Sequence, residues 1–145
     1  MADSDPAPPS KLFLSSVSPV DDNEAVNTGT VEVDGVNYTK SVYWYQDTND
    51  APGWAEYNLS RDYDSFCAVV GVADTSDAVV EYEVEVYVDG VSVDVVQVAL
   101  GSPADIAVSV RNGLRLKLEA RTNTATFGYG RVVWGDAYVA PGPCS

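Results

Sequence analysis

The chain has 145 residues, 22 acidic against 8 basic, and no histidine, for a net charge of −14 at pH 7. That balance excludes nucleic acid held through phosphate contacts and disfavours anionic membrane surfaces, leaving cations, neutral polar ligands or a basic partner. The missing histidine removes Ser-His and Cys-His catalysis, and 46% hydrophobic residues, with valine and tyrosine prominent and few leucines, make the composition that of one β domain.

Residues 1–10 carry three prolines and two aspartates with no apolar run, which predicts a flexible linker or free N-terminal arm. The stretch lacks the basic start and apolar core of a signal peptide, and no segment of the chain approaches transmembrane length. A first strand is predicted over Leu12 to Val17, then an acidic loop from Pro19 to Asn27. Thr30 to Val33 and Val36 to Tyr38 flank Asp34-Gly35 as a hairpin, with Val31 and Val33 on one face. Ser41 to Gln46 is an aromatic-rich strand, followed by a polar loop from Asp47 to Gly53 that Pro52 interrupts. Strands follow over Ala55 to Leu59 and Ser65 to Ala73, the second nearly continuous in apolar residues and therefore expected inside a sheet.

Val79 to Val98 carries the strongest pattern. Val80, Tyr82, Val84, Val86 and Val88 fall on one face of a strand and Glu81, Glu83, Glu85 and Tyr87 on the other. Asp89-Gly90 supplies a tight turn, and Val91, Val93 and Val95 begin the returning strand. Ile106, Val108 and Val110 alternate into a core, and Asn112-Gly113 turns the chain. Leu114, Leu116, Leu118 and Ala120 then alternate against Arg115, Lys117, Glu119 and Arg121. The basic residues of that strand are natural cross-strand partners for the glutamate stripe. Arg131 to Val139 is the last strand, and residues 141–145 form a short tail. Nine or ten short strands and no convincing helix predict an all-β, antiparallel two-sheet sandwich over residues 11–140.

Cys67 and Cys144 are too far apart for a zinc or redox motif and are either free or paired with each other. A bridge would close a long loop and stabilise the fold by about 4 kcal/mol on the chain-entropy model. Cys144 lies in an otherwise unanchored tail, where a buried free thiol has no packing role, which favours the bridge.

An ordered series of short motifs runs along the domain: Leu14-Ser15-Ser16; Val33-Asp34-Gly35-Val36-Asn37-Tyr38 with Lys40; Glu56-Tyr57-Asn58-Leu59; Phe66 with Val69-Val70-Gly71-Val72; Val86-Tyr87-Val88-Asp89-Gly90; Leu114-Arg115-Leu116; and Trp134-Gly135-Asp136-Ala137. In this order and spacing, from about Leu12 to Val139, the chain resembles the NPCBM family of carbohydrate-binding modules. The resemblance implies a galactose-binding-like jelly roll with an accessory glycan-binding role, usually as one module of an extracellular enzyme or surface protein. Tyr43-Trp44-Tyr45-Gln46 replaces the family's Gly-Val-His-Ala, placing Tyr45 where the histidine stands. Arg131, Val132 and Val133 replace its His-Ala-Asp.

Strand parity selects candidate residues independently of the family. Val42 and Trp44 share one face and are expected inward, which turns Tyr43 and Tyr45 outward. Arg131 and Val133 lie opposite Val132 and Trp134. Matching the faces predicts a carbohydrate-binding patch of Tyr43, Tyr45 and Arg131, with Trp54 and Tyr129 on nearby loops. Aromatic planes stack on sugar C–H faces while a few fixed donors hold the hydroxyls. The plainer assignment makes the tyrosines half-buried core residues and Trp54 the cap of a sheet edge.

Three oxygen-rich loops are candidate calcium sites: Asp21, Asp22 and Glu24 with Asn23; Asp47, Asn49 and Asp50; and Asp74, Thr75 and Asp77. None matches an EF-hand, and structural calcium enters chiefly through the habit of related jelly rolls. A glycosidase needs two carboxylates at fixed separation, and among 22 acids some pair is always on offer. No phosphate loop or nucleophile elbow is present, Gly128-Tyr129-Gly130 being a lone glycine pair. The sequence therefore predicts a non-catalytic, extracellular or surface-displayed module recognising neutral or cationic carbohydrate, with no nucleic acid and no membrane insertion. The rival expectation is a structural module docked on a protein scaffold, such as a virion decoration or tail protein.

Overall fold

The computed structural model describes residues 10–47, 51–122 and 128–144. Its period-two segments form eleven strands: β1 (Leu12–Phe13), β2 (Asp21–Asp22), β3 (Asn27–Val33), β4 (Val36–Tyr45), β5 (Gly53–Asn58), β6 (Ser65–Val72), β7 (Glu81–Val88), β8 (Val91–Ala99), β9 (Ala104–Ser109), β10 (Arg115–Thr122) and β11 (Arg131–Ala140). All pairings are antiparallel. One sheet has the order β3-β4-β11-β6-β9, with β1 added alongside β11, and the other the order β2-β5-β10-β7-β8. The expected two-sheet sandwich is therefore the fold, and no α-helix occurs among the described residues.

The two inner faces meet in one core. Trp44, Trp134, Phe66, Val70 and Val132 come from the six-stranded sheet, and Tyr57, Tyr82, Val84, Val86, Leu116 and Leu118 from the five-stranded one. Trp44 packs on Trp134 at 6.3 Å between ring centroids, and Phe66 on Trp134 at 6.4 Å. Both hairpin turns take the conformation their Asp-Gly pairs favour, since Asp34 and Gly35 (φ 50° and 79°) and Asp89 and Gly90 (φ 50° and 82°) all sit at positive φ. Each turn is also pinned from outside. The Asp74 carboxylate accepts the amides of Asp34 and Gly35 at 2.7 and 2.9 Å, and the Asp89 carboxylate accepts those of Leu114 and Arg115.

Several boundaries differ from the sequence expectation. The strand predicted over Leu12 to Val17 lasts two residues, because Leu14 is drawn into the core and Leu14–Ser16 turn as a 3₁₀ segment. The two strands predicted over Val36 to Tyr38 and Ser41 to Gln46 are one, β4, whose polar Thr39-Lys40 step is an exposed stretch of strand and not a break. Asp21–Asp22, placed in a loop, pair with β5 as the short edge strand β2. Of residues 1–10, only Ser10 lies among the described residues.

The glutamate stripe of β7 meets the basic strand β10 chiefly through Arg121. Its Nη2 lies 2.6 Å from carboxylate oxygens of both Glu83 and Glu85, and its Nη1 lies 3.4 Å from Glu119. Hydrogen bonds from the Ser92 hydroxyl and from Arg121 hold the Glu85 carboxyl below the usual glutamate range. Lys117 instead lies over the rings of Trp54 (5.0 Å) and Tyr87 (5.3 Å), and Arg115 donates to Asn58 Oδ1 at 2.7 Å.

The Tyr57 hydroxyl is buried without a hydrogen-bond partner among the described residues, and burial, with the Asp22 carboxylate nearby, pushes its ionisation well above the usual phenol value. An unpartnered buried hydroxyl costs free energy that phenylalanine does not. Tyr57→Phe is expected to leave stability unchanged or raise it by up to about 1 kcal/mol in urea unfolding. A clear loss would show that the hydroxyl is satisfied.

Candidate functional site

The end of β4 and the start of β11 run side by side, Tyr45 opposite Arg131 and Tyr43 opposite Val133 in the register. Trp44 is fully buried, so strand alternation turns Tyr43 and Tyr45 to the outer face of the six-stranded sheet. Arg131 stands on that same face with its guanidinium 5.5 Å from the Tyr43 ring centroid and 5.7 Å from that of Tyr45. Tyr43 also packs with Val31, Val33, Ala73, Val133 and Tyr38 in a small second core, whereas Tyr45 is 59% exposed.

The loop between β6 and β7 completes the site. Its Thr75 hydroxyl accepts a hydrogen bond from Arg131 Nη2, and its Ser76 hydroxyl accepts the Arg131 backbone amide at 3.0 Å. Asp77 binds the segment just before β11 twice, its carboxylate accepting the Tyr129 amide and its own amide donating to the Tyr129 carbonyl, each at 2.9 Å. Tyr129, also 59% exposed, is thereby set across from Tyr45. Between them lies a hollow of about 210 Å³ lined by Tyr45, Thr75, Ser76, Tyr129, Gly130 and Arg131.

Gln46 is the anchor beneath this hollow. Fully buried, it donates its amide to the Gly130 carbonyl at 2.9 Å and accepts the Tyr82 hydroxyl on its own carbonyl at 2.5 Å. Its side chain accepts Trp44 Nε1 at 3.2 Å and donates to the Ala51 carbonyl at 2.9 Å. Both polar groups of this buried side chain are thus engaged, and they steady the residue whose backbone amide ties the strand that carries Tyr45 to the segment that carries Tyr129.

Four of the five residues predicted for the patch, Tyr43, Tyr45, Tyr129 and Arg131, lie together. Trp54 does not join them. It stands on β5 with Ala55 fully buried beside it, so its ring faces outward from the opposite sheet, under Lys117. Ser76 and the site role of Thr75 were not foreseen, because only the return of the β6–β7 loop against β11 brings them there.

The calcium candidates are not gathered into one cluster among the described residues. Among the described residues no group of three or more His, Cys, Asp or Glu gathers at metal-binding distance. Asp21 and Asp22 project to alternate sides of β2, and the Asn23 side chain is spent on the Pro52 carbonyl and the Trp54 amide. In the third loop the Asp74 and Asp77 carboxylates accept backbone amides of Asp34, Gly35 and Tyr129. Asn49 and Asp50 of the second loop lie outside the described residues. Because a bound ion would stabilise the folded state by mass action, neither EDTA nor added calcium is expected to move the melting temperature. A rise with calcium, reversed by EDTA, would overturn this.

A larger hollow of about 590 Å³ lies between β9 and the C-terminal tail, lined by Asp64, Ser109, Arg111 and Cys144 among others. It holds no aromatic ring, and Arg111 there is 3.4 Å from the Asp64 carboxylate. Cys144 is joined to Cys67 in a disulfide with Cα atoms 5.8 Å apart. No helix among the described residues is long and apolar enough to cross a membrane.

Solved structures similar to the chain include CBM51 carbohydrate-binding modules. The CBM51 module from Clostridium perfringens GH95, in complex with methyl-galactose, matches 90% of this chain and 100% of its own, at 20% identity and a TM-score of 0.70. The tandem CBM51 modules of a family 98 glycoside hydrolase from Streptococcus pneumoniae match over 92% of this chain and 47% of theirs, at 16% identity and a TM-score of 0.75. A C. perfringens structure containing CBM51-2 in complex with GlcNAc matches over 90% of this chain and 31% of its own, at 20% identity and a TM-score of 0.69. Identities this low speak for the fold alone. Comparison with curated proteins gives no significant match. The model of the NPCBM/NEW2 domain matches residues 8–140, which contain every strand of the sandwich, and the chain therefore belongs to that family of non-catalytic carbohydrate-binding modules.

Proposed function

We propose that the chain binds carbohydrate through the hollow between Tyr45 and Tyr129, acting outside the cell or on a cell or virion surface. The observation that carries this reading is a pair of tyrosines, each 59% exposed, standing over a hollow that also holds a fixed guanidinium and two hydroxyls. Exposed rings offer apolar planes to a pyranose, while Arg131, Thr75 and Ser76 supply hydrogen-bonding groups at set positions. Buried core tyrosines would not show that exposure. The disulfide supports an oxidising surrounding, as found outside cells.

Alanine substitutions at Tyr45, Tyr129 and Arg131 test the site on a glycan array, with Trp54→Ala as the control on the far sheet and circular dichroism as the check on folding. The three site variants are expected to lose at least about tenfold in affinity, as removal of a central aromatic or arginine contact commonly does. Trp54→Ala is expected to bind as the parent does. Parent-like binding by all three site variants would move the function elsewhere on the molecule.

A further inference from the structure

From the lining of the same hollow we infer that its ligand is a sugar bearing an anionic substituent, a carboxylate or sulfate on the pyranose ring, seated on Arg131. The inference rests on the carbohydrate reading above and narrows its ligand class.

In a chain with 22 acidic and 8 basic residues, an arginine is expected to meet a carboxylate. Arg121 meets three and Arg111 meets one. Arg61, Arg115 and Arg131 take part in none of the ion pairs among the described residues; Arg61 and Arg115 donate to the Asn112 carbonyl and Asn58 Oδ1 away from the hollow, and Arg131 alone of the three lines it. Its guanidinium rests over two tyrosine faces and donates to a neutral acceptor, Thr75 Oγ1. Two rings and one hydroxyl fix its plane without supplying a counter-charge. A guanidinium carries five N–H donors in a fork that matches a carboxylate or sulfate, and the Thr75 bond engages only one of them.

The rest of the lining has the same bias. Tyr45, Thr75, Ser76, Tyr129 and Gly130 contribute rings, hydroxyls and backbone, and among the described residues no aspartate or glutamate lines the hollow. The two carboxylates of the loop are turned elsewhere, Asp77 to the Tyr129 amide and Asp74 to the amides of Asp34 and Gly35. The net charge of −14 argues against anionic ligands only at long range, since fields from surface acids fade over a Debye length of about 8 Å at physiological salt. Within the hollow the local positive charge decides. The volume, about 210 Å³, suits one sugar residue rather than an extended chain.

Isothermal titration of the whole chain would compare methyl β-galactoside with methyl galacturonide, the methyl ester of that uronide, galactose 6-sulfate and N-acetylneuraminate. The parent is measured beside Arg131→Gln and Arg131→Lys, both checked for folding by circular dichroism. At least one acidic sugar is expected to bind tenfold or more tightly than its neutral counterpart, with the uronate and sulfate arms showing which anion fits. Arg131→Gln should abolish that preference and Arg131→Lys retain part of it. Acidic sugars that bind no better than neutral ones, or a preference that survives Arg131→Gln, would overturn the inference and leave the carbohydrate reading standing. Failure of every sugar to bind would remove both.

Discussion

Replacing Cys67 and Cys144 together with alanine is expected to cost about 4 kcal/mol and lower the melting temperature by on the order of 15 °C. The bridge spans a sequence separation of 77 residues, and a crosslink over so long a loop acts chiefly on the unfolded chain. In the folded state it adds little that the strands lack, because Val139 and Ala140 already pair with Phe66 and Ser65, and Cys144 follows only four residues beyond β11. The bridge does hold the tail near a small outer cluster of Cys67, Tyr138 and Ala140 with Phe13. Two measurements separate these roles. If loop closure dominates, the variant unfolds in urea with a larger m-value as well as a lower midpoint, since its denatured state exposes more surface. A shift of only a few degrees with an unchanged m-value would confine the disulfide to tail anchoring.

The parity of β4 and β11 made most of the candidate site legible before any coordinates. Valine at position 42 marks the dry face, so Trp44 goes in and Tyr43 and Tyr45 go out, as Val132 and Trp134 go in and Arg131 goes out. Alternation within a strand is local physics and survives folding. Sheet membership is not local. Trp54 follows its own alternation correctly, but its strand pairs with β10, some sixty residues downstream, and nothing between Gly53 and Asn58 says which sheet will receive it. The same limit applies to Ser76, whose contact with Arg131 depends on a loop folding back across fifty-five residues. β8 shows a related gap: Val96 and Val98 pair with Val84 and Tyr82 and pack on the core, whereas Val95 lies opposite Glu85 on the outer face and, with Val91 and Val93, stays exposed. The Trp134-Gly135-Asp136-Ala137 motif acquires a physical cause only in the fold. A register shift follows Gly135, a Cβ there would come within 2.8 Å of the Tyr38 ring, and the Asp136 carboxylate accepts the Lys40 amide.

Truncating Trp44 to alanine is expected to cost about 3–5 kcal/mol, lowering the melting temperature by about 10–15 °C, and to weaken glycan binding although the side chain never reaches the surface. The stability loss follows from a cavity opened against Trp134 and from the Gln46 acceptor left buried without its indole donor. The binding loss follows from what Gln46 holds. With its side chain released from the indole, Gln46 is held less firmly, and its backbone hydrogen bond to the Gly130 carbonyl, which extends the β4–β11 ladder towards Tyr129, loses that support. Trp44→Phe separates the two effects, since it refills much of the cavity but still leaves Gln46 Oε1 without its donor. It should recover most of the stability and little of the affinity, measured by urea unfolding and by titration with whichever sugar the parent binds. Full recovery of both would show that the indole acts through packing alone. A loss of stability with parent-like affinity in the folded fraction of Trp44→Ala would show that the two tyrosines are held in place without Gln46.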